Sequence, residues 1–594
     1  MVIAALLLSF PIPSAVPQLP QEDDAVRLLA AAPAWAEDSA GERCDELVVV
    51  RRWNGGRCQT GLENKSEKAL EVGRVVLASW KHELPEATSI YGEGLQMLSQ
   101  TGGTLAEPSD LGYLTDRGHY KIALPEGALS VVYGALVLGQ AEQRLLLGFS
   151  SCRRFVPRIE IWPQRIDIVL ECEGLELAAG ATWELEEFLV LAGDHRDQLL
   201  GVLADRIAQN HPPRFPKQPP SGWCSWYCFG PGVTTEDIRR NLAWLAENAP
   251  ALRYVQIDDG YQSAMGDWTT TGDAFGGGVH EILKEIRDEG FEPAIWVAPF
   301  IAQKDSEVFR DHPDWFVKAA DGSPLSSGDV SFGGWRFGPW YCLDGTHPEV
   351  QQHFRELFRK MREEWGCTYF KLDATFWGMM HGGTHFDPEA TRVEAYRRGM
   401  EAVLEGARDA FVLGCNHPMW PSFGLIDGSR SSMDVRRKWD VMRRTGRENL
   451  LRNWQNGKLW WNDPDCLLLI GDLPDNEFLY HASLLHATGG MLLSGDDLPK
   501  LSEARAAMLQ KLAVPTGVPA SFADESVEYG VMELEGETRY FFFNHSDEEA
   551  RRRVPDVEGL TDFWSGEKVE LEGRSIVLPP RSARVLIHST VGDR

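Results

Sequence analysis

Two short segments each combine a carboxylate with a nearby cation. Tyr369-Phe-Lys-Leu-Asp-Ala374 places Lys371 two residues before Asp373, and Arg430-Ser-Ser-Met-Asp434 places Arg430 four residues before Asp434. Each reads as the end of a buried strand. Residues two apart on a strand share a face, so an ammonium beside Asp373 favours its ionised form. Asp434 falls in a loop-like stretch after its strand, where its protonation follows its surroundings. Arg430 either tunes Asp434 or binds substrate, and the sequence does not separate these roles. One ionised nucleophile and one proton donor are what double displacement at a glycosidic carbon requires. Asp373 is the candidate nucleophile and Asp434 the candidate acid/base.

Such a pair needs a scaffold that brings distant strand ends together. After the Pro-rich segment 211–220, eight strand-like runs alternate with amphipathic helical stretches: 222–229, 254–260, 293–300, 368–374, 411–418, 424–431, 458–465 and 490–494. The helical stretches are 235–247, 279–289, 348–364, 388–408, 435–452 and 477–486. This alternation predicts an α/β chain whose catalytic domain is a (β/α)8 TIM barrel over residues 216–512, with reactive groups at the C-terminal strand ends. Before it, short apolar runs separated by turns (46–50, 73–79, 128–138, 144–149, 159–170 and 182–190) predict an N-terminal antiparallel β-sandwich, residues 1–215 with the linker at its end. Strand patterns return after it (528–534, 538–544, 568–571, 575–578 and 583–588), predicting a small C-terminal β-domain over 513–594.

In a barrel of this kind every strand end is a position to inspect. Strand one ends on Trp223-Cys-Ser-Trp226-Tyr-Cys-Phe229, strand two on Asp258-Asp259-Gly260, strand five on Cys415-Asn416-His417 and strand seven on Trp461-Asn-Asp-Pro-Asp465. One Asp at a strand end is as readily an N-cap for the next helix. Caps do not require cations and tryptophans beside them, so the set as a whole points to a site. The chain has 21 tryptophans, and nine of them (Trp223, Trp226, Trp296, Trp335, Trp340, Trp377, Trp420, Trp460 and Trp461) fall near these strand ends. Singly each is core packing; as a group they suit the apolar faces of sugars. The segment 377–385, with Gly382 and Gly383, is expected to be a mobile subsite loop.

A formal charge of −29 argues against nucleic acid and anionic membrane partners. Ten cysteines show no disulfide framework and no paired zinc spacing, which favours a reducing, cytoplasmic location. The apolar Met1–Val16 stretch has no basic residue before Arg27, so it lacks the charged start of a secretory signal. No segment has the uninterrupted apolar length of a membrane span. The partner is a small-molecule substrate; a homo-oligomer is left open.

Several motifs then carry a resemblance: Gly222-Trp-Cys-Ser-Trp226, Ile257-Asp-Asp-Gly260, Trp296-Val-Ala-Pro-Phe300, His312-Pro-Asp-Trp315, Asp344-Gly-Thr-His-Pro348, Phe370-Lys-Leu-Asp373, Arg430-Ser-Ser-Met-Asp434 and Trp461-Asn-Asp-Pro-Asp465. Together and in this order they resemble glycoside hydrolase family 36, the melibiase-type α-galactosidases, which share a clan with family 27. The resemblance implies a retaining exo-α-galactosidase acting on oligosaccharides such as melibiose or raffinose, with no cofactor and no metal. It implies Asp373 as nucleophile and Asp434 as acid/base. Trp226, Asp258, Asp259, Lys371, Arg430 and Asp465 line the galactose subsite, with Cys415 and Asn416 completing the substrate-binding set. Asp258 and Asp259 are expected to hold the 4-OH and 6-OH. The sister family commonly has an acidic group where Asn416 stands, which leaves the preference at the sugar's 2-position open. Alternatives are a raffinose-synthase-like transglycosylase, or specificity for α-N-acetylgalactosamine or α-glucose. A metal-dependent hydrolase fits less well, because Lys371 and Arg430 oppose a dication and His417 alone supplies a strand-end imidazole. A non-catalytic sugar-binding protein would not retain both carboxylates.

Overall fold

The computed structural model describes residues 18–571 and 573–589, so the Met1–Val16 stretch lies outside the described residues. The eight runs form eight short parallel strands, Ser221–Cys224, Tyr254–Ile257, Glu292–Val297, Tyr369–Leu372, Phe411–Gly414, Gly428–Arg430, Trp461–Asp463 and Leu492–Ser494, here barrel strands one to eight. They lie in one sheet in the order seven-six-five-four-three-two-one-eight. Strands seven and eight share no ladder, but Leu467 just after strand seven bridges Ser494 in parallel, and its N–H donates to Leu493 O at 2.7 Å. The sheet is therefore a nearly closed eight-stranded barrel.

The predicted helices are present, and their ends follow local chemistry. Thr235–Asn248 and Arg392–Ala407 each start on a reciprocal cap, Thr234 with Asp237 and Thr391 with Glu394. The second cap moves the start from the expected Pro388 to Arg392. The helix expected from Val435 starts instead at Trp439. The reason is in the site: the Val435 N–H is taken by Asp465 Oδ2 at 2.7 Å, which holds the preceding residues as a loop. Strand one is shorter than expected, and a helical turn at Trp226–Phe229 replaces its end.

Residues 35–193 build a five-stranded and a nine-stranded antiparallel sheet. The run 159–170 is two strands, Val156–Trp162 and Arg165–Leu177, folded as a hairpin. The run 128–138 also divides, Ser130–Tyr133 joining one sheet and Ala135–Gln140 the other. Gly134 makes the switch at φ 74°, and a Cβ there would come within 2.0 Å of the Trp420 indole, so the chain lies directly against the barrel. Helices Glu22–Ala31 and Arg196–Asn210 were not expected. After the barrel, residues 521–589 form a five-stranded sheet and a two-stranded pair. Here 568–571 is not a strand, whereas Ala550–Arg553 is one despite having no apolar alternation.

One N-terminal segment matters for the site. Residues 95–99 are fixed to the barrel mouth by Met97 N donating to His417 O (3.0 Å) and Met419 N donating to Leu95 O (2.8 Å). Arg452, fully buried on the barrel side, donates to Glu93 at 2.7 Å and to Ser99 O at 3.0 Å. A buried charge pair of this kind is costly to break, because losing one partner strands the other.

Candidate active site

Strand four presents Lys371 and Asp373 on one face, as alternation requires. Their pairing differs from the expectation. Lys371 Nζ donates to Asp258 Oδ2 on strand two at 2.8 Å, and Gln256 Nε2 donates to the same oxygen at 2.7 Å. Asp373 is held by neutral donors: Trp296 Nε1 from strand three (3.0 Å), Asn416 Nδ2 from strand five (2.7 Å) and its neighbour Ala374 N (2.7 Å). Burial raises the Asp373 carboxyl above its usual range; the Lys371 charge and these donors pull it back in part. Lys371 thus acts on Asp373 through space and on Asp258 by contact. Burial works against the Lys371 charge, but the Asp258 carboxylate holds the ammonium well above the usual lysine range.

Two residues here occupy left-handed backbone without being glycine: Ala374 at φ 52° and Asn416 at φ 42°. Phe376 N donates to Asn416 O at 2.8 Å, which ties the two turns together. The backbone is strained so that the Asn416 amide meets Asp373.

Strand six and the loop after it carry the second carboxylate. Arg430 Nη2 donates to Asp434 Oδ1 at 2.7 Å and to Asp465 Oδ2 at 2.5 Å. Asp465 also accepts from the Tyr227 hydroxyl, Val435 N and Cys466 N. Burial pushes Asp465 up to about 6 in spite of Arg430. For Asp434 burial acts in the same direction, but the Arg430 and Lys371 charges outweigh it and hold the carboxyl below its usual range. Protein surrounds Asp434, yet 52% of its side chain is open to the cavity, whereas Asp373 is 8% exposed.

Asp373 and Asp434 line one cavity of about 500 Å3. Trp226, Asp258, Asp259, Lys371 and Asn416 line it too. Cys415, Arg430 and Asp465 do not: Arg430 is the support beneath Asp434, Asp465 anchors Arg430, and the Cys415 Sγ accepts from Arg430 Nη1 at 3.8 Å. Of the nine tryptophans, Trp226, Trp296 and Trp335 reach the cavity. Trp223, Trp340, Trp377, Trp420, Trp460 and Trp461 are buried in the core. The 377–385 segment is not part of this site either. Met380–His385 lines a separate cleft of about 1010 Å3 beside Glu171, Glu173 and Arg392.

Arg336 also lines the cavity and is absent from the expected set. It grips Asp259 through Nη2 to Oδ1 (2.5 Å) and Nε to Oδ2 (3.0 Å), a two-pronged pairing that fixes the carboxylate plane. Its neighbour Trp335 was the signal available. Leu98, Leu114 and His119 of the N-terminal chain also line the cavity, with Phe332, Met433 and Arg436, and nothing local in the sequence marks them.

Residues 253–410 match the Melibiase family model. The A type blood α-D-galactosamine galactosaminidase of Flavonifractor plautii is 25% identical over 333 residues, 51% of this chain and 29% of that protein. An α-galactosidase of Escherichia coli is 36% identical over 139 residues, 22% of this chain and 18% of its own. The chain spans 29% or less of the length of the curated relatives it matches. Among solved structures, TtGalA, an α-galactosidase from Thermus thermophilus, superposes with a TM-score of 0.63 at 24% identity, covering 82% of this chain and 98% of that one. Family model, relatives and fold agree with the resemblance that the motifs carry, to the melibiase-type enzymes of glycoside hydrolase family 36.

Proposed function

We propose that this protein is a retaining exo-α-galactosidase, a glycoside hydrolase that releases terminal α-linked galactose from small oligosaccharides such as melibiose or raffinose. The observation that carries the reading is the unequal environment of two carboxylates on one cavity. Asp373 is buried and immobilised by three donors, as a nucleophile must be. Asp434 is open to the cavity and can reach a leaving oxygen. In the first half-reaction Asp373 attacks the anomeric carbon while Asp434 protonates the departing oxygen. In the second Asp434 takes a proton from water, which displaces Asp373 and restores the α configuration. Asp258 and Asp259 accept from the galactose hydroxyls, and Trp226 stacks on the sugar.

The domain division that goes with this reading is an N-terminal β-sandwich over 1–215, the catalytic barrel over 216–512 and a C-terminal β-domain over 513–594. No helix among the described residues is long and apolar enough to cross a membrane. A cytoplasmic location suits the ten free cysteines. A second reading, specificity for a nitrogen substituent at the sugar's 2-position, is favoured by the α-D-galactosamine galactosaminidase named among the relatives, which aligns over half the chain. Hydrolysis of the 4-nitrophenyl α-galactoside, α-glucoside and α-N-acetylgalactosaminide, compared side by side, tests both. The α-galactoside is expected to be cleaved fastest, with α-galactose as the first product by proton NMR. β-Galactose appearing first would sink the retaining mechanism.

A further inference from the structure

The cavity is built from two kinds of surface. Its carboxylates and Lys371 stand on barrel strand ends. Over them lie segments from elsewhere: Leu98 and Leu114 from the N-terminal chain, Phe332 from the long connection between strands three and four, and Met433 directly before Asp434. Leu98 is held in place by the bonds that tie Met97 and Ser99 to the barrel. His119 stacks on Phe332 with ring centroids 3.9 Å apart, and burial depresses its imidazole to about 4, so it brings no charge there near neutral pH. Phe332 is 39% exposed and Phe337, five residues on, 56%. Arg436 is at the same rim, and the stem of such a side chain is itself apolar.

Asp434, which delivers the proton to the leaving oxygen in the proposed reaction, is covalently next to Met433. The group beyond that oxygen therefore leaves through a rim of aliphatic and aromatic side chains. A second sugar would present a ring of hydroxyls to Leu98, Leu114 and Met433, whose side chains offer no donor and only one weak thioether acceptor, and each hydroxyl left unpaired costs affinity. An alkyl or aryl group would bury apolar surface there instead. Resting on the galactosidase reading, we infer that this rim is a leaving-group subsite that selects α-galactosides with an apolar aglycone, alkyl or aryl, over those linked to a second sugar.

The test uses the full chain and three substrates with the same galactose: α-galactosyl fluoride, whose leaving group is too small to reach the rim, hexyl α-galactoside and melibiose. Hexanol is a somewhat more basic, and so poorer, leaving group than a sugar hydroxyl, so a faster hexyl galactoside reads the subsite and not leaving-group chemistry. Hexyl galactoside is expected to show a kcat/KM about tenfold or more above melibiose, the discrimination that a few methylenes in an apolar pocket supply. Leu114→Asn and Phe332→Ala, both at partly exposed positions, should each lower the ratio of hexyl galactoside to fluoride kcat/KM by about tenfold. The ratio of melibiose to fluoride should stay within about twofold. Melibiose equal to or better than hexyl galactoside, or ratios unmoved in both variants, overturns the subsite with the galactosidase reading intact. Fluoride left uncleaved overturns that reading itself, and the subsite with it.

Discussion

The Asn416 amide offers the sharpest test of how the site is poised. It donates to Asp373 Oδ1 at 2.7 Å, and it does so from a left-handed backbone conformation at φ 42°. Replacing it by glycine removes the donor and leaves a residue for which that φ carries no strain. A hydrogen bond to an ionised group contributes about 1.5–3 kcal/mol, and about 1.4 kcal/mol corresponds to one pKa unit. Because the bond favours the charged form of Asp373, its loss should raise the Asp373 pKa by about one to two units. As the proposed nucleophile, Asp373 must be ionised, so activity is expected to fall as pH drops through that pKa. The acid limb of kcat/KM against pH should therefore move up by about one to two units in Asn416→Gly. Any contact between Asn416 and the sugar would change the plateau and not the position of the limb. A lowered plateau with an unmoved acid limb would refute the reasoning and leave Asn416 as a substrate contact alone.

Two further outcomes concern buried charge. Lys371→Met strips Asp258 of its cation in a site where both groups are under 10% exposed, and should lower unfolding free energy by about 3–5 kcal/mol in urea titrations. Adding Asp258→Asn should recover most of that loss, and a single-variant loss below about 1 kcal/mol would count against the pairing. Glu448 is buried beneath the Met433–Asp434 loop, where its carboxylate accepts from Met433 N at 3.0 Å, and burial pushes it from 4.5 up to about 7. A carboxyl whose folded pKa is raised binds its proton more tightly when folded, so its contribution is present below about 4.5 and is lost as pH rises towards 7. Glu448→Gln should therefore gain stability over the parent at pH 8, of order 3 kcal/mol at most, and none at pH 4. An equal gain at both pH values would rule the titration out.

The strands were legible because parallel barrel strands are buried on both faces, and five of the eight apolar runs stop at charged or amide residues. Pair partners were less legible. Alternation correctly places Lys371 and Asp373 on one face, but it cannot say that Lys371 reaches across to Asp258, 113 residues earlier, in preference to its neighbour. Local pattern also treats Arg430 as a residue of the mouth, whereas its bond to Asp465 on the next strand draws it below the surface of the cavity. Leu98 and Leu114 were out of reach for a stronger reason. They belong to loops of an antiparallel sheet, with no periodicity that marks them, and long-range bonds bring that chain to the barrel: residues 95–99 to His417 and Arg452, Gln100 to Glu448 O, and Phe332 N to His119 O. Arg336 sits in the glycine-rich stretch between Phe332 and Pro339, where neither helix nor strand period exists to say which way a side chain faces.

The two carboxylates of the proposed reaction stand on the wrong sides of each other. Asp373, which must be ionised, is pushed up by burial; Asp434, which must carry a proton, is held down by Arg430. Nor does the shared guanidinium deliver a proton to Asp434. Asp465 bonds the same Nη2, is buried, and titrates at about 6, so a proton taken up by this pair goes to Asp465 first. What can reverse the order is the difference in exposure. Asp373 at 8% has almost no water left to lose, and its three donors remain when the cavity fills. Asp434 at 52% is solvated by the very space a sugar would occupy. Filling the cavity therefore desolvates Asp434 far more than Asp373 and raises its pKa by more. At the same time a glycosidic oxygen, which can only accept, is satisfied only by the protonated form of Asp434. Substrate binding thus drives the two values apart in the direction that acid and nucleophile require. In the proposed reaction the open Asp434 and the tightly held Asp373 thus work as a pair.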